Sequence, residues 1–509
     1  MKKTQRMKRT VCLILIAAMV FSVFLISGCG EKAKDSEQGI NETKNDSPDS
    51  EADKKGDDST EEIRIDPDLP DIDLEGYTFN FLTHLYDGDD WVGTVPMEII
   101  AEEQNGEPIN DAVYTRNLKI EEKYNINIKM EPIADETKAM KKTVAAGDST
   151  YDAVIMFNNN VPGIVTADLL TNIADLTHID LGKPWWDPAV NAMSIDNKNY
   201  LLAGDLLILD NEATNVILFN KELMNTLGFD LPYNIAKDGK WTMDKLNEYI
   251  KGSAFDINGD GSMKPLDDRW GFVTFNDTMH ALFVGGGGAL AVKDANDIPY
   301  MDFTNPSNLN IIEKAMDIMY NKEEVLNVQA DVSNQTEWTQ AFYTPFEQNR
   351  TLFMWARMRV VEKYRGMEAE FGILPIPKFD ENQENYRSVV NPYTGVLLGV
   401  PKSADNLERV SIILEALSAE SRYTLQPAYY NVVLQRKYVR DDESSEMLDI
   451  IFNTRVYDIG SVYSFGNVFI DFISLCYKTD RNVVSFYDKK SGSMEKAINK
   501  VVETFQSMD

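Results

Sequence analysis

Between Tyr77 and Phe157 the chain switches repeatedly between two residue periods, and this restricts its fold more than any other feature. Tyr77, Phe79 and Phe81 alternate with Thr78 and Asn80, the period of a strand. Val113, Ile120 and Tyr124 then share one face of a helix, which Asn110 is expected to cap. Ile126, Ile128 and Met130 alternate as a second strand. A second helix runs from Glu136 to Gly147, a residue that closes helices because it accepts left-handed backbone. Asp152–Phe157 reads as a short apolar strand. Strand–helix–strand–helix–strand order implies a largely parallel sheet covered by helices, and so the α/β class.

The next half carries similar signals. Val216 to Phe219 is a strand candidate. Thr242 is placed to cap a helix with Asp244 in its first turn and Met243, Leu246 and Ile250 on one face. Gly372–Pro377 reads as a strand stopped by prolines, and Gly395–Val400 as another. Val410, Ile413, Leu414 and Leu417 form the stripe of a helix with one buried face. The 509 residues exceed one ordinary domain, and 43% apolar content supplies a sizeable core. Two or more lobes are therefore expected.

The N-terminus predicts where the chain works. Lys2, Lys3, Arg6, Lys8 and Arg9 precede an apolar run from Val11 to Ile26, the layout of a secretory signal. The run is short for a membrane span of about 20 residues. Leu25-Ile26-Ser27-Gly28-Cys29 resembles a bacterial lipobox, in which the cysteine receives a diacylglycerol and cleavage falls just before it. The expected mature chain thus starts at Cys29 and is tied by lipid to the outer face of the cell membrane. Residues 29–73 are expected to be a flexible acidic tether, rich in Asp, Glu, Lys, Ser and Asn, without aromatics and without an apolar period. Losing the five basic residues of 1–28, where no acid stands, takes the net charge from −32 to −37. That acidity argues against nucleic acid and anionic headgroups as partners. Of the three cysteines only Cys476 lies in the body, so no disulfide can form within it.

Several segments, in order, carry a resemblance. They are Ala145-Ala146-Gly147-Asp148 with Tyr151-Asp152-Ala153-Val154; Leu218-Phe219-Asn220-Lys221-Glu222-Leu223 with Leu227-Gly228; and Gly239-Lys240-Trp241-Thr242-Met243-Asp244. Thr351-Leu352-Phe353-Met354-Trp355 and Phe371–Pro377 follow. Behind a lipobox, this series resembles the extracellular solute-binding lipoproteins of ABC importers, the family-1 carbohydrate type of Gram-positive bacteria. The stretch from about Ser418 to Tyr487 departs from the shorter members. The resemblance implies a two-lobed periplasmic-binding-protein-like fold, type II-like, with crossing hinge strands and a ligand cleft between the lobes. It assigns 74–207 and 350–404 to lobe I and 208–349 and 405–509 to lobe II. Crossings are expected near 204–211, 344–351 and 400–408. The implied role is capture of a sugar or oligosaccharide for an ABC permease, by a monomer with no catalysis and no required cofactor. A lipid-anchored glycoside hydrolase, which needs only two carboxylates, and a binding protein feeding a sensor kinase are the alternatives.

Sugars present apolar C–H faces and many hydroxyls, so their sites pair flat aromatic rings with bidentate polar groups. Trp355 and Arg357 are the leading candidates, where the family's chain re-enters the cleft. The Trp185-Trp186 doublet and Tyr393 supply further rings. Ligands of parallel sheets sit at strand C-termini, which nominates Thr83-His84 and Asn158-Asn159. Glu212 adjoins the first crossing. Separately, Asp256, Asn258, Asp260, Ser262 and Asp267 stand at calcium-loop spacing, with Gly261 at the sixth position, and nominate a structural Ca2+. Asp267 replaces the usual glutamate, and Lys264 is an unfavourable neighbour for a cation. Gly285–Gly288 lacks the Lys-Ser/Thr of a phosphate loop, and three scattered histidines give no zinc-protease motif.

Overall fold

In the computed structural model, residues 64–85, 98–434 and 442–508 are described. The signal segment, Cys29 and the tether up to residue 63 lie outside them. The last ten tether residues, 64–73, run along the folded body. Arg64 pairs with Glu420 at 2.7 Å and lies 4.6 Å over the Tyr423 ring. Lys183 Nζ donates to Asp66 O and Asp68 Oδ2 at 2.9 and 2.7 Å.

The first sheet is built from β1 (Tyr77–His84), α1 (Pro108–Tyr124), β2 (Ile126–Ile133), α2 (Glu136–Ala146) and β3 (Ala153–Phe157). β1 lies between β2 and β3, parallel to both, with Phe79 opposite Ile128 and Leu82 opposite Val154. α1 starts two residues before Asn110. Pro108 stands at its first turn, where proline's fixed φ suits helix entry and its missing N–H costs nothing. α2 closes at Gly147 in the left-handed region, φ 62°.

The second sheet begins with β4 (Asn215–Asn220) and α3 (Met243–Ile250), which Thr242 caps by accepting from Lys245 N. It continues through β5 (Trp270–Thr274), α4 (Asp277–Gly285), the β6–β7 hairpin (Ala291–Lys293, Pro299–Met301), α5 (Pro306–Met319) and β8 (Val325–Asn327). α6 (Trp338–Glu347), β9 (Thr351–Arg357) and β10 (Phe371–Leu374) complete it. Its order is β10-β4-β9-β5-β8. β9 and β10 therefore belong to the second lobe, which corrects the expected placement of 350–404. All seven residues of β9 are buried, and such a strand needs partners on both edges. β4 supplies one, antiparallel with Ile217 opposite Trp355, and β5 the other, parallel with Phe272 opposite Phe353.

After β11 (Ser388–Val389) the chain returns to the first sheet as β12 (Val396–Gly399), antiparallel to β3. α7 (Leu407–Tyr423) stays in the first lobe, its Val410, Ile413, Leu414 and Leu417 packed into one core with Phe79 and Phe81. The crossings expected at 344–351 and 400–408 thus fall inside lobes. The chain crosses instead at 204–214 and at 389–395; α8 (Leu425–Leu434) packs against α1, and α9 (Asp442–Asn453) follows. α9 packs against β10. β13 (Arg455–Val456), α10 (Ile459–Tyr463), α11 (Val468–Lys478) and α12 (Val483–Ser507) finish the chain. α12 places Ile498, Val501 and Phe505 in a first-lobe core, so 405–509 is shared between lobes rather than confined to lobe II. Among the described residues no helix is long and apolar enough to cross a membrane.

The crossings meet in a buried polar knot. β13 pairs with β11 beside the second crossing, and Val390 N donates to Val456 O at 3.0 Å. Arg455 on β13 reaches the first crossing. Its guanidinium lies 2.8 Å from Asp187 Oδ2 and 3.3 Å from Asp210 Oδ2, and donates to Asn211 Oδ1. Arg422 pairs with Asp205 at 3.4 Å. Glu98 accepts from the backbone of Ile208 and Leu209.

Burial pushes the carboxyls of this region up: Asp210 to about 6, Asp205 to about 7 and Glu98 to about 8. Glu415 and Asp152 rise likewise, to about 7 and about 6. Unfolded, such groups titrate near about 4. Between that value and 6–8 the folded chain therefore binds more protons than the unfolded one, so stability falls as pH rises through the window. Thermal unfolding at pH 5.5 is expected several degrees above that at pH 8. An equal or lower Tm at pH 5.5 would contradict this.

Candidate functional site

In both lobes the parallel strands end toward the crossings, where a doubly wound sheet presents its loops. From the first sheet come His84 at the end of β1, Asn158–Asn160 after β3, and Asn391–Gly395 leading into β12. From the second come Phe275–Asp277 after β5 and Arg357 at the end of β9.

Asp277 and Arg357 form the charged floor. Asn391 Nδ2 donates to Asp277 Oδ2 at 2.9 Å. Arg357 is 5% exposed, and its guanidinium is held electrostatically by Tyr343 and Asp277. Burial raises the Asp277 carboxyl above its ordinary range, opposed by Asn391 and Arg357, and lowers Arg357. Gly395 is required at the floor. Its N–H donates to Asn391 O at 2.8 Å, its O accepts from Asn158 N at 2.9 Å, and a Cβ there would lie 2.5 Å from Val390 and 2.8 Å from the Asn158 amide. The buried Asn158 side chain, Asn215 Oδ1 and Trp355 Nε1 have no hydrogen-bond partner in the protein. Buried polar atoms of this kind cost free energy unless something polar reaches them.

Of the nominated residues, Arg357 and Tyr393 both stand near Asp277, whereas Trp355, 2% exposed, packs into the second-lobe core. Trp355 lies 5.9 Å from the Phe342 ring, and Tyr393 packs 5.2 Å from Phe469. His84 stands at the first-lobe edge with Nδ1 2.8 Å from Glu136 Oε2, and its ring edge meets Phe157 at 5.0 Å. Asn159 is exposed on the adjacent turn. Glu212 is on the first crossing, its carbonyl accepting from Arg359 N at 3.0 Å.

Trp185 and Trp186 are corrected outright. Both rings are buried in the first-lobe core, and both indole N–H groups donate to Glu415 on α7, at 2.9 and 2.7 Å. Asn158 is nominated with Asn159 as the turn after Phe157, whereas Asp277 and Asn391 are not singled out by sequence. Asp277 follows a parallel strand directly, so the rule that nominated His84 and Asn159 would also have found it.

Around the Asp256–Asp267 loop the carboxylates serve the loop itself. Asp256 accepts from Gly259 N and Gly261 N, both at 2.7 Å, Asn258 from Asp260 N at 2.8 Å, and Asp260 from Ser262 N at 2.9 Å. Lys264 Nζ sits 2.5 Å from Asp260 Oδ2. Asp268, not Asp267, turns back into the loop, accepting from Ile257 N and Lys264 N. Among the described residues no group of three or more His, Cys, Asp or Glu side chains is placed to hold a metal ion. A cation here must displace Lys264.

No protein-family model matches the chain, and no curated protein matches its sequence. Solved structures match its fold. UspC of M. tuberculosis superimposes with a TM-score of 0.55 at 14% identity, covering 82% of this chain and 100% of that one. An ABC substrate-binding protein from Listeria monocytogenes, in complex with cycloalternan, gives 0.50 at 10% identity, covering 85% and 99%. A cyclo/maltodextrin-binding protein complexed with maltotetraose gives 0.50 at 16%, covering 84% and 96%. The fold is two-lobed and periplasmic-binding-protein-like. Asp277, Arg357 and Asn391 stand at the strand-end loops of the two sheets.

Proposed function

We propose that this protein is a solute-binding protein that captures a sugar or oligosaccharide between its lobes, without catalysis, and delivers it to an ABC transporter permease. In this reading it is a monomer anchored by lipid at Cys29 on the outer face of the cell membrane. The observation that carries the reading is the group of polar side chains at the strand ends: the buried Arg357, Asp277 with Asn391 donating to it at 2.9 Å, and the unpartnered Asn158 amide, beside Tyr393. Charged bidentate groups beside flat rings match the two faces of a sugar. Fold neighbours that bind glycans support the same class.

The test is thermal unfolding of the purified protein against mono- and oligosaccharides, with and without EDTA. A sugar at 100 times its Kd should add about 2.7 kcal/mol, a resolvable rise in Tm. A sugar-specific rise, with the sugar recovered intact, is the expected result. Hydrolysed sugar would favour the glycosidase, and no rise across the panel would overturn the carbohydrate reading. We also propose Ca2+ as a structural ligand of the 256–267 loop. A fall in Tm on EDTA alone supports it, and an unchanged Tm removes it.

A further inference from the structure

The β6–β7 hairpin leaves the second lobe and ends on the first. Its root is fixed in the second lobe. Leu290 and Phe303, on either side of it, are buried in that core. Asn308 on α5 donates to Ala289 O and Asp302 O, at 3.3 and 2.9 Å, and Asp302 N donates to Leu290 O at 3.2 Å. The hairpin itself meets the other core, where Ala291 is buried and Ile298 packs beside Met193 and Ile195.

The contacts across to the first lobe are polar and dense. Asp297, in the turn, accepts from Ser194 Oγ at 3.1 Å and from Asn197 N at 2.9 Å, and its carbonyl accepts from Asp196 N at 3.1 Å. Lys293 Nζ pairs with Asp297 at 2.6 Å and donates to Ser194 O and Oγ at 3.1 and 2.8 Å. The two charged side chains are 21% and 16% exposed, so solvent screens them far less than an ordinary surface pair. A second seam adjoins this one. A Cβ on Gly460, in α10, would lie 2.5 Å from Leu290 Cβ and 2.7 Å from Ala291 N, so α10 meets the hairpin root backbone to backbone. Asp458, which caps α10, accepts from Ser461 N at 3.0 Å and from Leu290 N at 3.3 Å, and lies 3.2 Å from His280 Nε2 on α4.

We infer that the β6–β7 hairpin is an interlobe clasp: seated on residues 191–198, it fastens the lobes to each other at a point additional to the chain crossings. The Asp297 carboxylate is its pin, because one side chain holds Ser194, Asn197 and Lys293 at once. The inference needs only the two-lobed fold and is independent of the ligand.

The test is small-angle X-ray scattering and amide hydrogen exchange on the full chain without ligand, for wild type, Asp297→Gly, Gly460→Ala and Glu248→Ala. Asp297 has φ 63°, so glycine removes the carboxylate without backbone strain, which alanine would add. Glu248 pairs with Lys245 on the exposed side of α3 and is the control. Asp297→Gly should speed exchange at Asn197 about tenfold and raise the radius of gyration, because lobes held by the crossings alone gain orientations. The tether is common to all four chains, so a difference between them reports the body. Gly460→Ala wedges the adjoining seam without removing a charge and should raise the radius too; it carries the test if Asp297→Gly does not fold. Glu248→Ala should match wild type in both measurements. Faster exchange at Asn197 with an unchanged radius overturns the clasp and leaves the hairpin a local packing feature. Unchanged exchange in Asp297→Gly overturns it as well.

Discussion

Replacing Arg455 with methionine should cost about 3–5 kcal/mol of stability, because it strands buried carboxylates without a counter-charge. The guanidinium stands between Asp187 of the first lobe and Asp210 of the first crossing, both buried or nearly so. Methionine keeps the length of the stem but neutralises neither acid. In a chain of this size each kcal/mol moves Tm by only about 1 °C, so a fall of about 3–5 °C is expected at pH 8. The same variant should lose less at pH 5, below the value of about 6 at which Asp210 already titrates beside the arginine. Adding Asp210→Asn should recover part of the loss at pH 8. A fall under 2 °C would mean that the acids reach water when the arginine is gone.

The second large effect falls on affinity. Arg357→Met should weaken whichever sugar the panel identifies by about 100-fold, the scale of losing a charge-assisted contact and leaving its buried partner unpaired. Asp277 is the nearby acid whose charge Arg357 offsets, together with His280 and the Asn391 amide that donates to it. Trp185→Phe is the comparison, since that ring sits in the first-lobe core and should change Tm with little change in Kd. An unchanged Kd in Arg357→Met would move the ligand away from this floor.

Much of this architecture was legible from residue order, and the reasons for the rest are specific. The run from Tyr77 to Phe157 announced its own sheet, because each strand there follows its neighbour through one helix. β9 announced only that it was buried. A continuous apolar strand reads the same in either lobe, and its partners, Ile217 and Phe272, lie far away in sequence. The tryptophan doublet failed for a similar reason. A loop indole aimed at a ligand and one aimed at a core acceptor have the same local sequence, and Glu415, which decides between them, is 229 residues from Trp186. Trp355, Arg357 and Tyr393 were nominated from position in the chain; Arg357 and Tyr393 stand near Asp277 because β9 ends where the second crossing passes, while Trp355 turns into the core.

The C-terminal stretch alters what the lobes are free to do. Lys198 of the first lobe donates to the carbonyls of Phe505 and Met508, while α11 is seated in the second. Between them, Arg455 and Val456 touch both of the first two crossings. The chain thus returns to its own pivot and then straps the lobes together along one side. Two bodies fastened along a line keep a single axis of rotation, with twisting and sideways sliding suppressed. Around that axis the floor residues barely change their spacing, and the outer rim of the cleft takes nearly all the travel. Tight contacts at the floor can then form before the lobes finish moving, and contacts at the rim only afterwards.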